Sequence, residues 1–222
     1  MTDPAPILLH RREKPCQALS LGSDAASGLT AEAVPDVALV LGRAHEGCGP
    51  ARRLFAALVA GRLSGPVLWI LPAHEQERLN PDGLAGWMDP ARLVLLPCRR
   101  LPDILWCMEE ALRSGSCSLV VAELPAPPAL TPVRRLHLAA ETGGAGGLAP
   151  LGLLLTPGQG GAQGIETRWH LAPRPGWATG TAGQRAGRPR WQLSRLRART
   201  APEAGWIVEA GQDGLRPLTP AD

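Results

Sequence analysis

A chain of 222 residues, 45% apolar and 19% charged, is long enough for one large domain with a sizeable core, and it has no run of some 18 apolar residues that would make an ordinary transmembrane helix. Its 23 basic residues are 22 Arg and one Lys, Lys14, beside no Tyr and one Phe, a bias that G- and C-rich codon usage accounts for as a whole. Chemistry that needs a lysine must use Lys14, which argues against a Walker P-loop ATPase, a Schiff-base enzyme and a Ser-Lys hydrolase.

Gly and Pro total 49 residues, so many loops are expected around a folded core. The apolar stretch at residues 6–9 is too short for an export signal, and a cytosolic protein is expected. Five Cys (16, 48, 98, 107 and 117) form no C-x-x-C pair and read as free thiols.

Residues 1–35 are polar without lasting periodicity and read as a flexible N-terminal arm. Residues 36–41 (DVALVL), running on to Cys48, read as one buried strand. Residues 50–60 (PARRLFAALVA) read as a helix with Pro50 in its first turn, Leu54, Phe55 and Leu58 inward and Gly61 as its stop. Residues 66–71 (PVLWIL), 92–96 (RLVLL), 118–122 (SLVVA) and 151–155 (LGLLL) are short apolar runs, which suits strands covered on both faces. Between 101 and 112 the apolar residues follow a helical face, with Gly115 as a C-cap. Thr131 and Pro132 read as the N-cap and first residue of a helix to about Thr142.

This alternation predicts an α/β core over 36–165, a mostly parallel sheet with helices on both faces. After 165 the pattern becomes alternating strands at 167–171, 190–199 and 206–210, which predicts an antiparallel extension over 166–210. Residues 173–189, rich in Gly and Pro, read as a mobile loop, and 211–222 as a C-terminal tail.

Charge is uneven along this plan. Residues 1–150 carry 14 bases against 15 acids, residues 151–222 carry 9 against 5, and eight Arg fall in 168–199 with no acid. Arg188, Arg190, Arg195, Arg197 and Arg199 surround Trp191. In a regular strand the last three guanidinium groups share one face about 7 Å apart, a spacing that suits neighbouring phosphates, with an aromatic nearby to stack a base. An acidic protein partner or a plain solvated face would fit the same pattern. Arg134 and Arg135 sit side by side on the helix after 130, either as surface charges or as contacts to a partner or a phosphate.

Other constellations are poorer. The glycine-rich run 42–50 (GRAHEGCGP) precedes a helix, but a P-loop begun at Gly42 has Cys48 where lysine belongs and Gly49 where Ser or Thr belongs. His45 and Cys48 lack a second ligand pair at zinc spacing, so no metal is expected. Glu109 and Glu110 read as solvated charges, and no G-x-S-x-G elbow occurs.

The residues Gly42-Arg43-Ala44-His45-Glu46 leading to Gly49-Pro50 resemble the approach to the P-loop of RecA as it stands in the RecA-like ImuA proteins of bacterial mutagenesis cassettes. Residues 111–115 (ALRSG) followed by 118–123 resemble the RecA helix, turn and Walker B strand, which puts Glu123 at the Walker B acid position. Residues 134–141 (RRLHLAAE), 167–169, 190–193 and 206–209 look like ImuA rather than RecA. The resemblance implies a RecA-like core with a degenerate P-loop, since Ala51-Arg52-Arg53 stand where a glycine, lysine and threonine would follow. Gly42, Gly49 and Glu123 then mark a vestigial nucleotide site with no cofactor, Glu123 having nothing to coordinate and Arg52 and Arg53 lying on the helix surface. It further implies a non-catalytic accessory protein of SOS-induced error-prone translesion synthesis, located on the nucleoid. Its partners would be an ImuB-like relative of Y-family polymerases, an error-prone DnaE-type polymerase, RecA and single-stranded DNA. A weak degenerate ATPase and a SulA-like inhibitor of cell division are the alternatives.

Overall fold

The computed structural model describes residues 17–21, 37–75, 77–146, 149–174, 189–211 and 214–220. Most of the expected arm, the 175–188 stretch of the expected loop and Arg188 lie outside them.

The four apolar runs do become neighbouring strands, and the strand at 167–171, expected in the antiparallel extension, joins the same parallel set through its pairing with residues 46–48. β3 (Ala44–Cys48), β4 (Val67–Pro72), β5 (Leu93–Cys98), β6 (Leu119–Glu123), β7 (Leu151–Thr156) and β8 (Thr167–Arg174) pair in parallel in the order β8-β3-β7-β6-β4-β5. β9 (Arg190–Ala198), β10 (Ala204–Gly211) and β11 (Gly214–Pro220) then add antiparallel strands beyond β8. The result is one nine-stranded sheet whose last four strands form a meander. β11 falls where a tail was expected.

Helices cover both faces, as parallel pairing requires. α1 (Arg52–Gly61) lies on one face with the short helix α2 (Pro81–Leu84), and its Phe55, Leu58 and Val59 meet Val67, Trp69, Val121, Leu153 and Trp169 of the sheet. α3 (Leu101–Ser114) and α4 (Leu130–Gly143) lie on the other, around Ile104, Met108, Leu112, Val133, Leu136 and the alternate strand residues Ile70, Val120, Ala122 and Leu154. The period-2 alternation of strand side chains thus feeds two separate cores. Gly115, at φ +66°, ends α3 in the left-handed conformation expected of it, its N–H donating to Leu112 O.

Three boundaries differ from the sequence reading. The expected strand from 36 to 48 is two: β2 (Ala38–Val40) pairs antiparallel with β1 (Ala18–Ser20) in a separate two-stranded sheet, and a turn at Gly42 (φ +74°) re-aims the chain into β3. α1 starts two residues after Pro50, and α4 starts at Leu130 with Ala129 at its N-cap and no side-chain cap. Pro132 fits the first turn of α4 because the amide it lacks would have had no helical partner there. Among the described residues no helix is long and apolar enough to cross a membrane.

Candidate functional site

Only residues 49–51 separate β3 from α1. Gly49 has φ +89°, and a Cβ there would lie 2.7 Å from both His170 Nε2 and Leu171 O. β8 therefore presses directly on this turn, so glycine is required twice over, by conformation and by space. Ala51 N–H donates to Leu171 O (3.0 Å) and Arg52 N–H to Gly49 O (3.3 Å), so amides at the helix start, where an anion would bind, are used within the chain. Gly42 stands at the opposite end of β3, its N–H donating to Pro150 O (3.0 Å). Four strand steps, about 13 Å, separate the two ends, and Gly42 and Gly49 do not close one loop.

Glu123 ends β6, with β7 between it and β3. It is buried at 4% exposure and fully engaged. Arg53 Nε donates to Oε1 and Arg53 Nη2 to Oε2, both at 2.9 Å, and Trp69 Nε1–H donates to Oε1 at 2.8 Å. Arg53 also meets Glu77 Oε2 at 3.3 Å. The hydrogen bonds to Glu123 raise the pKa of Arg53 further above its ordinary value. Two expectations are corrected here: Glu123 is coordinated, and Arg53 is no surface charge. The cation at the end of β6 is a guanidinium of the chain itself, forked onto the carboxylate in the geometry Arg favours.

β3 carries buried polar groups on both its faces. Glu46, fully buried, accepts at Oε1 from Thr156 Oγ1 (2.6 Å) and Gly161 N–H (2.9 Å), and at Oε2 from Ala162 N–H (3.1 Å) and Arg168 Nε (2.5 Å). His45, also fully buried, contacts Val40 O through Nε2 (2.9 Å) and Thr167 Oγ1 through Nδ1 (2.7 Å). A carbonyl only accepts, so Nε2 carries the proton and Nδ1 accepts from the threonine hydroxyl, which itself accepts from Trp169 Nε1–H (2.9 Å). Burial holds the His45 pKa down, at about 4. Cys48 donates to Trp169 O at 3.4 Å, and burial pushes its thiol up to about 12. His45 and Cys48 thus have separate structural partners, and among the described residues no three His, Cys, Asp or Glu side chains gather as a set of ligands.

The arginines divide into three kinds. Arg195 is buried at 8% exposure, its guanidinium 5.7 Å from the Trp169 ring centre and 5.4 Å from that of Trp206, with Nε donating to Pro202 O (2.9 Å). The β8–β9 register shifts between Arg168 and Trp169, so that Arg168 pairs with Arg197 and Trp169 with Arg195. This bulge overturns the expected single face of Arg195, Arg197 and Arg199: Arg195 turns into the core, while Arg197 and Arg199 are exposed. Arg190 is ion-paired to Glu209 (3.7 Å), Trp191 is half-buried against the core on the α1 side, and Arg135 bridges α4 to α3 through Glu109 (2.7 Å). Glu109 is itself buried and not the solvated charge the sequence suggested.

The third kind converges. Arg134, Arg199 and Arg43 line a cavity of about 270 Å³ with His137, Leu138 and Glu141. Arg134, His137, Leu138 and Glu141 are spaced i, i+3, i+4 and i+7 on α4, hence on one helix face. Arg43 comes from the turn before β3 and is ion-paired to Glu141, and Arg199 follows β9, 3.8 Å from Glu166. Arg134 makes no ion pair among the described residues. His137 forms the floor, its Nδ1 accepting from Ala44 N–H (3.2 Å) and its Nε2 donating to Gly164 O (3.0 Å). Burial first, and then the charges of Arg43 and Arg199, lower its pKa.

With this geometry established, two curated relatives are informative. Protein ImuA of Caulobacter vibrioides strain NA1000 / CB15N is 31% identical over 226 residues, covering 91% of this chain and 87% of the relative, and Protein ImuA of strain ATCC 19089 / CIP 103742 / CB 15 matches to the same extent. The chain belongs to the ImuA family. No family model matches it.

In this ImuA-family chain the motif residues from Arg43 to Glu46, which carried the resemblance, have structural partners that sequence reading missed. Glu46 could have been suspected, because an acid within an apolar strand needs a buried cation, and Arg168 supplies it. Arg43, Leu138 and Glu141 stand out only within the family motifs, and nothing local announces their convergence with Arg199, which depends on the place where β9 ends.

Proposed function

We propose that this chain is a non-catalytic accessory protein of SOS-induced error-prone translesion DNA synthesis, acting in the cytoplasm on the nucleoid. In this reading it bridges an ImuB-like Y-family relative, RecA and DNA, alongside an error-prone DnaE-type polymerase. The observation that carries its non-catalytic half is the Arg53–Glu123 ion pair. An acid already neutralised by an internal guanidinium, next to a turn of three residues without a lysine, has no electrostatic need for a nucleotide-bound magnesium ion. Membership of the ImuA family supports the accessory half.

The test is hydrolysis and binding with the purified full chain. ATP turnover at background level, equal in wild type and Glu123→Gln, is expected, together with capture of the ImuB-like partner by both. Turnover that disappears on Glu123→Gln would refute the non-catalytic reading.

A further inference from the structure

The cavity between α4, the start of β3 and the end of β9 is basic without being uniformly so. Three guanidinium groups from three separate elements, those of Arg43, Arg134 and Arg199, meet there around one carboxylate, Glu141. Each cation has a different state. Arg43 is bound to Glu141, Arg199 is 67% exposed and reaches Glu166 only at 3.8 Å, and Arg134 is exposed with no ion pair among the described residues. Arg197, exposed and likewise without an ion pair among the described residues, continues the positive charge along β9. Leu138, 63% exposed, places an apolar surface beside these charges.

We propose that this cavity seats one nucleotide of a single-stranded nucleic acid. Its phosphate meets Arg134 and Arg199, its base rests on Leu138 and the Arg43 guanidinium, and Glu141 accepts a hydrogen bond from a base N–H. The mixture of charges selects this occupant. A carboxylate inside the cavity repels an acidic peptide, which offers only more carboxylates, whereas a nucleotide offers an anion to the arginines and N–H donors to the glutamate. Guanidinium planes and an apolar side chain suit the unstacked base of a single strand, and a base inside a duplex cannot enter a concave site of this size. This assignment deepens the DNA arm of the reading above and rests on it.

The full chain is titrated with fluorescent oligothymidylate and oligodeoxycytidylate over a series of salt concentrations. The variants are Arg134→Ala/Arg199→Ala, and Arg99→Ala, an exposed arginine beyond β5 at the far edge of the sheet. The double variant is expected to bind about tenfold more weakly at low salt, and the slope of log affinity against log salt to fall by about 0.7, the value for the one phosphate that the two arginines share. Arg99→Ala should leave both unchanged. Circular dichroism melting of the double variant at the wild-type temperature separates lost contacts from lost folding. Glu141→Gln, which keeps the acceptor oxygen and removes the repulsion, should tighten binding of both oligonucleotides. Absence of binding at low salt, a slope unaltered in the double variant, or displacement of the oligonucleotide by polyglutamate at equal concentration each overturns the assignment. Any of these results alongside retained capture of the ImuB-like partner and absent ATP turnover would sink the nucleotide seat and leave the accessory reading standing.

Discussion

Acidification should destabilise this protein through His45 more than through any other histidine described. The ring is fully buried, its Nε2–H given to Val40 O and its Nδ1 taken by Thr167, and burial depresses its pKa from the ordinary 6.5 to about 4. Below pH 6.5 the unfolded chain binds a proton there that the folded chain refuses. Stability is therefore lost as pH falls through 6.5, and the loss is complete only below pH 4. The full effect corresponds to about 3 kcal/mol, of which about 2 kcal/mol is lost between pH 7 and pH 5. Urea unfolding of wild type and His45→Gln at a series of pH values isolates the effect, because a glutamine amide can still donate to Val40 O while carrying no titratable proton. The wild-type stability should fall about 2 kcal/mol further than that of the variant over this interval. His170, whose pKa burial also lowers, acts in the same direction in both proteins and cancels in the difference, whereas His137, whose charge acts on His45, cancels only in part. Parallel curves for the two proteins would refute the argument.

Further outcomes test other parts of the structure. Arg195→Ala removes a guanidinium packed between Trp169 and Trp206 and its bond to Pro202 O, so it should lower stability in urea by about 2 kcal/mol or more and leave the salt slope of oligonucleotide binding unchanged. Arg53→Met strands the Glu123 carboxylate with Trp69 alone and should cost about 3 kcal/mol, much of which Arg53→Met/Glu123→Leu should restore; a double variant no more stable than the single would contradict the pairing. Gly49→Ala forces a methyl group to 2.7 Å from Leu171 O at a positive φ, so a drop in thermal midpoint of several degrees is expected by calorimetry, with an unchanged midpoint counting against the close approach.

The strands β4 to β7 were legible because they are continuous apolar runs between turn signals, and the helices because their apolar faces repeat at helical spacing, whereas β8 carries alternating polar residues and reads as part of the antiparallel extension although it pairs in parallel with β3. The antiparallel extension was legible as alternation without intervening helices. The break at Gly42 was not, since Gly42-Arg43 reads as part of the strand running on to Cys48 and not as the turn that divides it. The site was read less well. The face shared by Arg195, Arg197 and Arg199 follows from a regular strand, and one bulge, which depends on pairing with β8, divides it. Arg53 and Glu123 lie 70 positions apart, and nothing local to either residue announces the other.

The central position of β3 has a consequence for how the chain reaches this state. Its polar residues find their partners only much later in the sequence: Thr156 lies 110 positions from Glu46, and Thr167 and Arg168 lie 122 positions from His45 and Glu46. On a ribosome the middle strand therefore emerges well before either neighbour, β7 or β8, exists. Until residues 151–174 have been made, β3 has two open edges and a carboxylate without its cation. The helix α1, which rests on β3, β7 and β8, likewise lacks two of its three partner strands until then, so neither its docking nor closure of the sheet can be completed earlier. Long loops must close before the contacts that reward them form, which predicts slow folding relative to a helical domain of this length and dependence on chaperones during synthesis.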